Sequence, residues 1–185
     1  MNRIGLWVVL GVLLLSIVSG VSMYNGLVTA NENIDNKLSQ IDNQLQRRND
    51  LIPNLVATTK GYAAQEEKIF TQVAEARAKL AGANTVADKA QADGELTSAL
   101  SRLLVVVEQY PALKSDANFR QLSDELAGTE NRLATARKDY NDAVQAYNTK
   151  IKKFPTNLVA SMGGFTARDY FKASEEVKQA PKVSF

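Results

Sequence analysis

The 185-residue sequence contains neither cysteine nor histidine. Their absence excludes Cys/His zinc sites, iron–sulfur clusters, His-ligated haem and the Glu-x-x-His di-iron bundle. It equally excludes thiol nucleophiles and every Ser-His-Asp arrangement. No disulfide is available to staple the fold, so cysteine usage says nothing of the redox compartment. An excess of one charge is missing too: 22 Lys+Arg against 20 Asp+Glu leaves a formal +2, without the concentrated basic surplus of a general nucleic-acid binder. Only four prolines and ten glycines punctuate the chain, and only 7% of it is aromatic. No Gly-rich phosphate loop and no alternating strand pattern is present. Carboxylates, lysines, tyrosines or a weakly held Mg²⁺ or Ca²⁺ remain for chemistry. The linear spacing shows no carboxylate pair of the kind that acid–base catalysis needs. The expectation is a non-enzyme with no cofactor and no bound metal.

What the chain does have is an uncharged run from Ile4 to Tyr24. At 1.5 Å per residue it spans roughly 30 Å, the thickness of a hydrocarbon core. Trp7 and Tyr24 stand near its ends, where amphipathic rings favour the membrane interface. Residues 1–24 therefore read as a retained anchor. A cleaved signal peptide with Val18-Ser19-Gly20 as its site is the competing reading, and the apolar run continues past that site. Arg3 precedes the run, and Glu32, Asp35 and Lys37 follow it. The positive-inside rule then leaves the N-terminus in the cytoplasm and the body outside.

The rest of the chain reads as an all-α body, a four-helix-type antiparallel bundle over residues 25–180 with an extended tail at 181–185. Apolar residues step by three and four through Leu27, Ile34, Leu38, Ile41, Leu45, Ile52 and Leu55, the coiled-coil-like seam of a helix packed on other helices. The stepping returns at Ile69, Val73, Ala76 and Leu80, and again at Leu96, Leu100, Leu103 and Val107 within a helix expected over Val86–Tyr110. A third helix of about 40 residues is expected from Phe119 through Leu122, Leu126, Leu133, Tyr140, Tyr147 and Ile151 to Phe154. Gly82 with Thr85 predicts a stop and the next N-cap, Pro111 an end, and Ser115 or Asp116 a cap. A shorter element is expected at Asn157–Met162, broken at Gly163-Gly164 and resuming as helix over Ala167–Val177.

The seams are interrupted at informative places. Stepping on from Leu45 lands on Arg48, and in the third helix on Thr129 beside Glu130. A guanidinium at a core position must be paired, because an isolated buried charge costs several kcal/mol. Glu108 and Glu130 are the candidate partners, and a stem that packs while the charge reaches solvent is the bland alternative. Pro53 follows Asn49-Asp50 inside the pattern and predicts a kink or a restarted helix there. Tyr140, Tyr147 and Phe154 recur at sevenfold spacing, which reads as core. Lys150, Lys152 and Lys153 form a basic cluster with a headgroup role only if they lie near a bilayer. Arg48, Asp50, Pro53, Glu108, Thr129 and Glu130 are thus the candidate structural and polar core residues.

Several segments carry a family resemblance. Tyr24-Asn25 with Leu27-Val28, then Arg47-Arg48-Asn49-Asp50-Leu51-Ile52-Pro53-Asn54-Leu55-Val56, Lys60-Gly61-Tyr62, Glu108-Gln109-Tyr110-Pro111 and Gly128-Thr129-Glu130-Asn131 resemble the LemA family. So do Asp139-Tyr140-Asn141, Tyr147-Asn148, Phe154-Pro155, Gly164-Phe165 and Pro181-Lys182-Val183-Ser184-Phe185. The resemblance covers essentially the whole chain. It implies a bacterial single-pass membrane protein with a long-helix bundle and no established biochemical activity. It also implies a bundle in the cytoplasm, opposite to the charge count.

Three functional classes follow: a membrane-anchored scaffold that self-associates or docks on envelope proteins, a sensory bundle that binds a small molecule between helices, and a carboxylate hydrolase or lyase. The first is the expectation. Its partners are the lipid bilayer, like subunits and an envelope protein, with no nucleic acid. Val183 and Phe185 of the tail are positioned either to pack on the bundle or to serve as a docking strand.

Overall fold

The long seam and the apolar run have no break between them in glycine, proline or charge clustering strong enough to stop a helix. They form one helix, α1 (Arg3–Lys60), in the computed structural model, which describes residues 3–172. It is followed by α2 (Glu67–Gly82), α3 (Val86–Val107), α4 (Pro111–Ser115), α5 (Ala117–Lys152) and α6 (Thr156–Met162). No strand occurs among the described residues. The architecture is all-α, as the periodicity predicts.

The punctuation works as expected. Thr85 caps α3, its hydroxyl accepting from the Asp88 N–H at 3.0 Å. Asp116 Oδ1 accepts from the Phe119 N–H at 2.9 Å, satisfying one of the free donors at the start of α5. That bond is the main reason the Asp116 carboxyl is held below its usual range. Pro111 ends the preceding segment and also occupies the first turn of α4, where its missing N–H is no loss.

The chain divides into two compact units. One contains, among the described residues, 3–38 and 139–168. Here α1 and α5 run antiparallel: Lys150 Nζ donates to the Gly26 carbonyl at 2.7 Å, and Lys37 pairs with Asp139 at 3.3 Å. Leu27, Ile34, Tyr140, Val144 and Tyr147 are among its buried side chains. The first residues of α1 are different. The most apolar window of this helix has a mean hydropathy of 2.3 and none of it is buried, so it is long and apolar enough to cross a membrane.

The other unit contains, among the described residues, 39–138 and 169–172. Four helical segments alternate in direction. Lys79 pairs with Glu95 and Arg102 with Gln72 across α2 and α3, an antiparallel pairing. Lys89 meets Asp42 and, further along both helices, Asp93 meets Arg48, each at 2.6 Å, which sets α3 parallel to α1. Arg132 reaches Gln44 and Arg47 lies 3.6 Å from Glu125, which sets α5 antiparallel to α1. The core comes from every segment: Ile41, Ile52 and Leu55; Phe70 and Val73; Leu96 and Leu103; Leu113; Leu126 and Leu133.

Three expectations need correction. First, of the kink or restart expected at Pro53, the restart does not occur: α1 continues to Lys60 with the proline inside. Pro53 offers no N–H to the Asn49 carbonyl one turn back, and Arg77 of α2 replaces it, donating Nε to that oxygen at 3.1 Å. Second, the helix expected over Ala167–Val177 is absent from 165–172, which are non-helical. Asn148 holds that segment: its Nδ2 donates to the Arg168 carbonyl and its Oδ1 accepts from the Arg168 N–H, both at 2.9 Å. With both backbone groups of Arg168 engaged by a side chain, a helical ladder there has lost a rung. Third, Phe154 is not core. It lies beyond the end of α5 and is 80% exposed, whereas Tyr140 and Tyr147 are buried as expected.

The Arg77 bond generates a prediction. If it substitutes for the missing proline donor, Arg77→Ala destabilises the native chain but has less effect in a Pro53→Ala background, where the alanine's own N–H can reach the Asn49 carbonyl. A double-mutant cycle by urea unfolding should give a coupling energy of roughly 0.5–1.5 kcal/mol. Strict additivity would remove this account of how α1 passes the proline.

Candidate functional site

The seam that places Leu45 and Ile52 in the core also places Arg48 there, and the residue is 3% exposed. An arginine so buried is stable only if its charge is met. Two carboxylates meet it. Arg48 Nη1 lies 2.6 Å from Asp93 Oδ1 and 2.8 Å from Glu130 Oε2. Arg137 closes the figure: its Nη2 bonds to Asp93 Oδ2 and its Nη1 lies 3.8 Å from Glu130 Oε1. Two guanidiniums and two carboxylates therefore alternate around a ring drawn from α1, α3 and α5. The formal charges cancel, which is the condition for burying Arg48 and Asp93, while Glu130 and Arg137 are half-buried.

Polar neighbours tighten the ring. Thr97, one turn beyond Asp93, accepts from Arg48 Nη2 at 3.1 Å and donates to the Asp93 carbonyl at 2.9 Å. Thr129 is fully buried, donates to the Glu125 carbonyl at 2.9 Å and accepts from Arg132. The Arg137 guanidinium also stands over the Phe171 ring at 5.2 Å, a cation–π contact. Burial pushes the Asp93 carboxyl up; the Arg137 and Arg48 charges pull it down and Glu130 adds to the rise, leaving it above its ordinary range.

The placement of the sequence candidates is uneven. Arg48, Glu130 and Thr129 lie in or beside the ring. Glu108 does not: it is a surface residue paired with Lys114 at 2.5 Å, and both side chains are largely exposed. Asp50 is exposed and accepts from Gln46 at 2.9 Å, so it is no core residue. Pro53 is likewise exposed. Val183 and Phe185 lie outside the described residues. Asp93 and Arg137 are ring members that the seam reading passes over. A signal for Asp93 is present: it precedes Leu96 by three and Leu100 by seven, so it interrupts the α3 seam as Arg48 interrupts that of α1. Arg137 follows Glu130 by seven on α5. Asn148 is visible in the sequence only as part of a motif.

Chemically, each ring member answers another, and Asp93 is only 2% exposed. Among the described residues no cluster of three or more acidic, histidine or cysteine side chains is arranged to hold a metal. An open groove of about 580 Å³ in this unit is lined by Arg47, Arg120, Asp124, Glu125 and Arg132, a surface of mixed charge.

Comparison with known proteins agrees with this architecture. The LemA family matches residues 37–185. "Magnetosome protein MamQ 2" of Paramagnetospirillum magneticum is 35% identical over 80% of this chain and 64% of its own length. "Magnetosome protein MamQ" of Magnetospirillum gryphiswaldense is 32% identical over the same shares. "Protein LemA" of Metamycoplasma hominis is 28% identical, covering 82% of this chain and 69% of that protein. The chain thus spans just under two thirds of the MamQ relatives it matches.

Removing one member of the ring strands the others. Arg48→Ala leaves Asp93 and Glu130 with Arg137 alone, and unfolding of the detergent-solubilised chain, followed by helical circular dichroism, should show a loss of roughly 3–5 kcal/mol. A change of less than about 0.5 kcal/mol, the range of an ordinary surface substitution, would show that the ring is not a buried unit.

Proposed function

The chain belongs to the LemA family, and from that premise we propose that it is a non-enzymatic, membrane-anchored helical scaffold that self-associates or docks on cell-envelope proteins. In this reading residues 4–24 hold it in the bacterial inner membrane and the bundle is the working part. The observation that carries the proposal is the charge ring, in which Arg48 and Asp93 are buried and Glu130 and Arg137 half-buried. Its four groups are directed at one another across three helices, an arrangement suited to fixing helix register and poorly suited to binding or transforming a substrate. The apolar, unburied start of α1 supports the anchor. Confinement to a membrane plane raises the effective concentration of like subunits and favours association.

Arg3 before the apolar run favours a cytoplasmic N-terminus and an extracytoplasmic bundle. Ser115 is exposed at the end of α4, and the natural chain has no cysteine to compete with a label. Ser115→Cys should therefore react with a membrane-impermeant maleimide in intact cells. Reaction only after permeabilisation would place the bundle in the cytoplasm.

The scaffold reading is tested by mass photometry of the full-length protein extracted in detergent. Particles of several chains, with no thermal shift across a metabolite panel, are the expected result. Single-chain particles together with a ligand-specific shift would overturn it in favour of a small-molecule sensor.

A further inference from the structure

The basic cluster at the end of α5 and the short helix after it are unexplained by the charge ring, and both belong to the unit that contains the apolar run. Lys150 marks a level along α1: its ammonium bonds to the carbonyl of Gly26, two residues past Tyr24. Beyond Lys152 and Lys153, both exposed, the chain turns back along the apolar part of α1. The Tyr24 ring meets Phe165 edge-on at 5.4 Å. Gly163 permits this approach, since a Cβ there would lie 2.8 Å from the Phe165 ring and 3.2 Å from Tyr24.

As a result α6 stands beside residues that the sequence assigns to the membrane. Pro155, Leu158 and Val159 form one wall of an apolar groove of about 600 Å³, and α1 forms the other from Val12 to Met23. The outward stripe of α6 is also apolar. Leu158 and Met162, one turn apart, are 55% and 89% exposed, and Phe154, just before the helix, is 80% exposed, while the adjacent stripe carries Asn157 and Ser161. Three large apolar side chains, an apolar groove and the bare start of α1 form one continuous apolar surface. Lysines stand at its rim. That is the distribution of an interfacial element, with apolar groups toward acyl chains and cations at headgroup level.

We propose that α6 is a second membrane element, lying in the leaflet nearest the bundle with Phe154, Leu158 and Met162 among the acyl chains and Lys152 and Lys153 at anionic headgroups. The partner is the bilayer itself. The proposal rests on α1 crossing that bilayer, and its occupant is argued from the groove's continuity with the apolar run and from the sign of the charge at its edge.

The absence of cysteine makes the test direct. Full-length chains carrying Leu158→Cys, Met162→Cys, Ser161→Cys or Leu13→Cys are spin-labelled and reconstituted in phosphatidylcholine–phosphatidylglycerol vesicles. Collision with oxygen, which concentrates in lipid, is compared with collision with a water-soluble nickel chelate. Oxygen should dominate at Leu13, Leu158 and Met162, and the order should reverse at Ser161. Nickel dominance at Leu158 and Met162 with oxygen dominance at Leu13 would overturn the proposal and leave the anchor intact. Nickel dominance at Leu13 as well would overturn both. Exclusion of both reagents at Met162 with spin–spin broadening would mean that a second copy covers the stripe, and the bilayer assignment fails. Lys152→Gln with Lys153→Gln should make the Met162 label shallower in phosphatidylglycerol vesicles, and an unchanged depth would overturn the headgroup assignment.

Discussion

A guanidinium at a core position of a helix leaves the rest of a bundle little choice. It can be buried only where carboxylates arrive from neighbouring helices, and those carboxylates need further cations in turn. In this protein the demand of Arg48 is met by Asp93 and Glu130, and the demand of Asp93 by Arg137 as well. Each pair restricts the axial shift and rotation of one helix against another. Apolar contacts between leucines, isoleucines and valines tolerate a slide of one turn, since the next turn presents much the same surface. A ring of alternating charges does not. The ring therefore selects one register among several that the hydrophobic seams permit.

Secondary polar contacts follow the same logic of meeting a backbone or charged group left without a partner. Pro53 removes a donor from α1, and Arg77 supplies one from α2. Arg168 leaves helical geometry, and the Asn148 amide takes over both of its backbone groups. Gly164, at φ 73°, provides the left-handed turn that lets the chain reach that amide, a conformation that costs other residues roughly 1–2 kcal/mol. These are small local adjustments, and each is made by a side chain distant in sequence.

α1 joins two physical environments in a single element. Its first part has exposed apolar side chains on every face, which is unfavourable in water and suited to lipid. Its later part has one apolar stripe and buries it. Nothing in the intervening residues stops the helix.

The helical class, the uncharged run, most helix limits and the buried seams were all legible in the residues, because they depend on local periodicity and on caps within a few residues of the helix ends. Arg48 was marked there as a core cation and Glu130 as an acid close to a seam. Asp93 was equally marked by its spacing from Leu96 and Leu100, though an acid on an apolar face is easily read as the seam's edge. Which acids answer Arg48 was settled by packing alone. Glu108 and Glu130 had similar standing in the sequence, and what separates them is the direction of their helix faces, which depends on how the helices pack. The fates of Pro53, Phe154 and Arg168 were undetermined for the same reason. A proline donor replaced by Arg77, an aromatic carried past the end of its helix and a backbone clamped by Asn148 are outcomes of contacts between residues 28 and 20 positions apart or of a chain turn. Local propensity has no access to those distances; packing does.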